Sequence, residues 1–159
     1  MEIRNASLEG AGLLARIIRD SFRDVAERFS LTPENCSTHP SFCTQEWVEA
    51  ALGKGIRFFL AGGEDGPCGC VALEVAGPET CYLERLAVLP AYRRRGYGKE
   101  LVEHVVREAK EAGARSLEIG IIAVQEDLSD WYARMGFVAK GTKRFEHLPF
   151  EVMFMAYSL

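Results

Sequence analysis

Residues 84–99 read Glu84-Arg85-Leu86-Ala87-Val88-Leu89-Pro90-Ala91-Tyr92-Arg93-Arg94-Arg95-Gly96-Tyr97-Gly98-Lys99. The stretch changes character twice. Cys81 to Leu89 is apolar enough for a strand and is closed by Pro90. From Gly98 to Ala112 the apolar residues Leu101, Val102, Val105, Val106, Ala109 and Ala112 recur at helical spacing, with Gly113 where a C-cap belongs. Between strand and helix lies a basic loop with two glycines. The first turn of a helix has unsatisfied N–H groups, and its dipole favours negative charge. Gly96 and Gly98 let the backbone approach a ligand closely, and Arg93, Arg94, Arg95 and Lys99 add positive charge. A loop of this kind binds phosphate or pyrophosphate.

The common phosphate loops do not fit. A Walker loop needs Ser or Thr after its lysine, and here Glu100 follows Lys99. A dinucleotide fingerprint needs a third glycine at position 101, which is Leu101.

Outward from the loop, the patterns describe a mixed α/β chain. Met1–Asn5 suits a short strand, and apolar positions from Leu13 to Phe29 predict one bent helix or two. Ser30–Thr44, with Pro33 and Pro40, reads as a loop, and Thr44 as the N-cap of a short helix ending by Gly53 or Gly55. Ile56–Ala61 and Cys68–Ala76 flank a turn-rich segment and predict a hairpin. Ser116–Val124 is a buried-strand pattern, Asp127–Met135 is helical, and Phe137–Phe145 and Phe150–Tyr157 predict two closing strands. The expected fold class is α/β (α+β): a mixed, mostly antiparallel twisted sheet of about six or seven strands with helices on both faces, in a single domain over residues 1–159.

Composition narrows the function. The chain is 48% hydrophobic and 26% charged with net charge −4, an ordinary globular balance without the overall basic footprint of a nucleic-acid binder. No run approaches the roughly 18 apolar residues of a membrane span, and Met1–Asn5 does not begin a signal peptide. Five cysteines, an odd number at irregular spacing, suit reduced thiols in a cytoplasm. Cys36, His39 and Cys43 have no fourth ligand for a structural zinc site, so no metal is expected, and their loop is read as lining a substrate pocket. Cys68 and Cys70, two apart on a strand, should share a face as core residues, while His104 should be solvated and His147 a surface residue.

The string R-x-x-G-x-G, Arg93 to Gly98, resembles the acetyl-CoA signature of the GNAT acetyltransferase family. Leu86-Ala87-Val88 and Pro90 resemble the family's usual lead-in, and Trp131-Tyr132-Ala133-Arg134-Met135-Gly136-Phe137 resembles its second signature. The resemblance covers residues 56–159 well and 1–55 loosely. It implies a GNAT-like fold and transfer of an acetyl group from acetyl-CoA, as co-substrate and without a metal, to a primary amine by direct attack. The acceptor is a small molecule, a lysine or a protein N-terminus, and a homodimer is common in similar proteins. A non-catalytic acyl-CoA sensor is the alternative.

Residue by residue, the resemblance matches Leu86, Ala87 and Val88 to the strand whose backbone holds the pantetheine arm. It matches Arg94, Arg95, Gly96, Tyr97, Gly98 and Lys99, with Arg93 at the head of the signature, to the pyrophosphate cradle, and Tyr132 to the general acid that protonates the leaving thiolate. For Tyr132 the bland reading is a ring packed on a helix face. Glu84, two residues from Leu86 and expected on the same strand face, is the first choice of base, or else a structural ion-pair partner; Glu118 is the second, and a water relay a third. Gln125 stands where many family members have asparagine.

Overall fold

The computed structural model describes residues 1–159. Seven strands form one sheet: β1 (Glu2–Ala6), β2 (Arg57–Gly63), β3 (Gly66–Val75), β4 (Thr80–Val88), β5 (Ser116–Ile122), β6 (Val138–Arg144) and β7 (Glu151–Ser158), in the order β1-β2-β3-β4-β5-β7-β6. Every pairing is antiparallel except β4 with β5. That one parallel pair follows from the chain path, because the helix after β4 must return the chain to the starting end of the sheet.

Four helices cover the two faces: α1 (Ala11–Arg28), α2 (Gln45–Gly53), α3 (Tyr97–Glu111) and α4 (Glu126–Arg134). Strand alternation decides which residues meet which layer. Phe58 and Leu60 of β2 pack with Leu14, Ile17 and Ile18 of α1 and Val48 of α2. Phe59 and Ala61, pointing the other way, pack with Leu101, Val102 and Val105 of α3 and Tyr132 of α4. Burying each such aliphatic or aromatic side chain contributes about 1.5–3 kcal/mol. Thr44 caps α2 as expected, accepting from the Trp47 N–H at 3.3 Å. The long N-terminal pattern is one unbroken helix of 18 residues.

Two irregularities in the sheet overturn expectations built on period two. In β3, Gly69 pairs with Ala61 and Pro67 with Gly62, so Cys68 is an extra, bulged residue. Cys68 therefore joins the α3 layer and Cys70 the α1 layer, and the two thiols do not share a face. In β4, Glu84 pairs with Ala72 and Ala87 with Cys70, leaving Arg85 and Leu86 opposite Val71 alone. Arg85 takes φ +50° to make this bulge. Leu86 and Val88 consequently pack with the α3 layer, while Glu84 shares the α1 face with its partner Ala72. Glu84 and Leu86 are thus on opposite faces, against the sequence reading. His104 also differs: it is half-buried edge-on against Phe59, ring centroids 4.5 Å apart, and burial lowers its pKa.

Candidate active site

The site begins where the sheet comes apart. β4 and β5 pair only from Thr80–Ser116 to Tyr82–Glu118, and beyond that point no pairing joins them. β4 stays bound to β3 and β5 to β7, so each strand turns one unpaired edge toward the other. A cleft of about 830 Å³ fills the gap, lined by Leu83–Val88 on one side and Ile119–Ile122 on the other. Unpaired strand edges are rows of N–H and C=O groups available to an extended ligand. The Leu89 N–H bonds Cys68 O, toward β3. By alternation Ala87 also turns its backbone to β3, and Leu86 and Val88 turn theirs to the cleft. Of the three residues matched to the pantetheine contact, Ala87 is therefore the one facing away.

At one end of the cleft stands the start of α3. Gly96 is its N-cap at φ +84°, and Arg94 is left-handed too at φ +64°. Left-handed residues in a turn can bring backbone N–H groups together as an anion nest. The first intrahelical bond runs from Glu100 N–H to Gly96 O, so the amides of Tyr97, Gly98 and Lys99 have no acceptor within the helix. Gly98 has a different reason to be glycine from the one its sequence suggests. A Cβ there would lie 3.2 Å from the Trp131 ring, so the absent side chain lets α4 pack against the loop.

The basic residues of the loop divide. Arg94 and Lys99 are exposed and line the cleft. Arg95 is outside it, stacked over Tyr92 at 5.6 Å. Arg93 is bound to α1: its Nη1 donates to Asp24 at 2.8 Å, its Nη2 to Ser21 O at 2.6 Å and its Nε to Val88 O at 3.2 Å. It braces the loop and takes up the Val88 carbonyl.

The middle and far end carry titratable groups. Tyr132 of α4 is 5% exposed, packed edge-on between Trp131 and Phe137, and lines the cleft. Burial pushes its phenol well above the ordinary value, so it stays protonated. Glu84 lines the cleft from the α1 face; burial, then the adjacent Glu74 carboxyl, push it up to about 7, with Arg85 opposing. Glu118 pairs with Tyr82 at the last rung before the strands part and is not among the lining residues. His39 is 7% exposed, and burial lowers it to about 4. Its Nδ1 accepts the Ser41 N–H at 3.3 Å and lies 2.7 Å from the Ser41 Oγ. Cys36 and Cys43 are buried in separate clusters from one another.

Several lining residues escaped the sequence reading. Phe22 and Val25 of α1, Leu148 and Phe150 before β7, and Arg85 all face the cleft. Ser21 does too, with a buried hydroxyl that lacks a partner. Helical spacing places Phe22 and Val25 on a helix, and the parting of the strands makes that surface a pocket wall.

A sequence model described as the acetyltransferase (GNAT) family matches residues 16–137, most of the chain. The chain belongs to the GNAT acetyltransferase family. Among curated proteins this GNAT chain is 36% identical over 61 residues to an uncharacterized N-acetyltransferase of Schizosaccharomyces pombe. That match covers 38% of the chain and 42% of the relative, so less than half of the relative's length is spanned. Among solved structures it is similar to a ribosomal-protein-alanine N-acetyltransferase from Brucella melitensis, with TM-score 0.75, 20% identity and 100% coverage of both chains. A Thermoplasma acidophilum N-acetyltransferase solved with coenzyme A gives TM-score 0.75 at 19% identity, over 99% of this chain and 98% of that one. The GNAT acyl-CoA N-acyltransferase fold is thereby shown for the whole chain.

Proposed function

We propose that this GNAT chain acetylates a primary amine by direct attack on acetyl-CoA held in the cleft between β4 and β5. The observation that carries the reading is the parting of those strands after three residue pairs, with a left-handed glycine and free helix amides at one end and the half-buried Glu84 carboxyl at the other. The residues present fit acetyl-CoA. The nest at Arg94 and Gly96, with Lys99 beside it, suits the pyrophosphate, and the cleft-facing backbone of Leu86 and Val88 suits the amide-bearing arm.

The amine must reach the thioester as a free base, and an alkylammonium has a pKa near 10.4. Glu84, with its affinity for protons raised to about 7, accepts that proton from the α1 side. The amine nitrogen bonds the acetyl carbon, the C–S bond breaks, and the electron pair leaves on sulfur. Tyr132, kept protonated by burial, gives its proton to that sulfur to make the free thiol and regains one from the attacking nitrogen, which sheds its second proton as it becomes the amide. Cleft-facing N–H groups of β4 polarise the carbonyl during attack. Holding both reactants in one cleft supplies most of the acceleration.

No helix is long and apolar enough to cross a membrane, and all five thiols are unpaired and buried, which suits a reducing, cytoplasmic setting. The test is incubation with acetyl-CoA and a broad amine panel, with products read by mass spectrometry. Acetylated product that is lost in Tyr132→Phe supports the reading. Tight acetyl-CoA binding with no product from any amine favours a sensor instead.

A further inference from the structure

The cleft holds one cation that the chemistry above leaves idle. Arg85 occupies the β4 bulge at φ +50°, a conformation that costs free energy for any residue but glycine. The bulge has a geometric effect: it turns two consecutive side chains, Glu84 and Arg85, to the α1 face. The Arg85 guanidinium is half-buried, and its Nη1 meets only the Cys43 thiol, a weak acceptor, at 3.7 Å. None of the protein's ion pairs uses it. Even its neighbour Glu84 forms no ion pair with it. A guanidinium carries five N–H donors, and one taken partly out of water without an anion is costly to keep.

Its position excludes the pyrophosphate as the missing anion. The nest at Gly96 lies at the start of α3, on the opposite face of the sheet, whereas Arg85 contacts the α1 and α2 layer. On that side the cleft wall includes Phe22, His39, Pro40 and Glu84 near Arg85, with Asp24 farther along α1. Burial keeps His39 neutral, Phe22 and Pro40 are apolar, and Arg93, against α1 farther along, is already paired with Asp24, so Arg85 is the one cation of this wall without a carboxylate partner.

Resting on the transferase reading, we infer that Arg85 binds a carboxylate on the acceptor, so that the acceptor is a small amine with its carboxylate close to the amino group. A free α-amino acid is the simplest molecule of this class. The adjacent positions of Glu84 and Arg85 match it: one side chain receives the ammonium proton while the other forks onto the carboxylate. Protein N-termini and lysine side chains within a chain, whose carboxyls are tied up as amides, are disfavoured.

The experiment compares acetylation of free amino acids with that of their carboxamides, by wild type and by Arg85→Gln and Arg85→Lys, with acetyl-CoA affinity measured by calorimetry. Wild type should favour the free acids in kcat/KM by about 10- to 100-fold, the worth of a charge-assisted hydrogen bond. Arg85→Gln should bring that ratio near one, mainly through KM for the acids, and Arg85→Lys should restore part of it. The wild-type comparison stands even if a variant folds poorly. A protein that binds acetyl-CoA yet acetylates both series equally, prefers the amides, or acetylates neither refutes the role of Arg85 while leaving the acetyl-CoA site intact. Failure to bind acetyl-CoA at all overturns the transferase reading together with it.

Discussion

Glu84→Gln is expected to make the protein more stable and less active at mildly alkaline pH. The carboxyl is raised from 4.5 to about 7, by burial first and by the Glu74 carboxyl next, and Arg85 offsets part of this. A folded-state value above the unfolded one means that the folded protein holds the proton more tightly. Stability from this group is therefore complete below about pH 4.5, is lost as pH rises toward about 7, and changes no further above it. At about 1.4 kcal/mol per pH unit, the loss is about 3 kcal/mol. Glutamine has no proton to lose. Urea unfolding should thus show wild type and variant nearly equal near pH 4.5 and the variant more stable by up to about 3 kcal/mol near pH 8. Catalysis moves the other way. Wild-type kcat/KM should rise about tenfold per pH unit up to about 7 and then level, whereas the variant should lose that limb and about 10²- to 10⁴-fold of its rate. Equal stability of the two proteins at both pH values refutes the burial of a charged Glu84. A wild-type rate that is flat between about pH 5.5 and 8 refutes its role as base.

Three further outcomes are expected. Tyr132→Phe should lower kcat by about 10²-fold or more while the calorimetric affinity for acetyl-CoA holds, because only a proton donor is removed. Gly96→Ala should destabilise by about 1–2 kcal/mol through its left-handed backbone and should weaken acetyl-CoA binding measured by titration. All five cysteines are buried, so a thiol reagent should react with them slowly in the native protein and with all five after denaturation. The low native background makes released coenzyme A readable with such a reagent.

The segments easiest to read from sequence were those whose signal is local. The apolar stripe set α3 within a residue of its start and end, and the buried-strand pattern Ser116–Val124 forms a strand over Ser116–Ile122. The left-handed turn and free helix amides proposed to hold the pyrophosphate lie where a strand, two glycines and a helix follow in immediate succession. Misplaced residues depend on contacts distant in sequence. Arg93 turns to Asp24, 69 residues earlier, and no pattern near the loop reveals that partner. Glu84 and Cys68 were placed by strict alternation, which two bulges interrupt. His104 lay outside the apolar stripe of α3, yet the Phe59 ring rises from β2 to meet it. Arg85 went unnoticed because an arginine in a strand is unremarkable until its φ and its lack of a partner are seen together.

The short β4–β5 register makes the sheet two half-sheets stitched by three rungs, β1-β2-β3-β4 and β5-β7-β6. An extended ligand in the gap would serve as the strand the fold leaves out, extending hydrogen bonding across the seam. Occupancy should then slow amide hydrogen exchange at Leu86 and Val88 and make the two halves unfold together, so that the bound molecule becomes part of the sheet's own cooperativity.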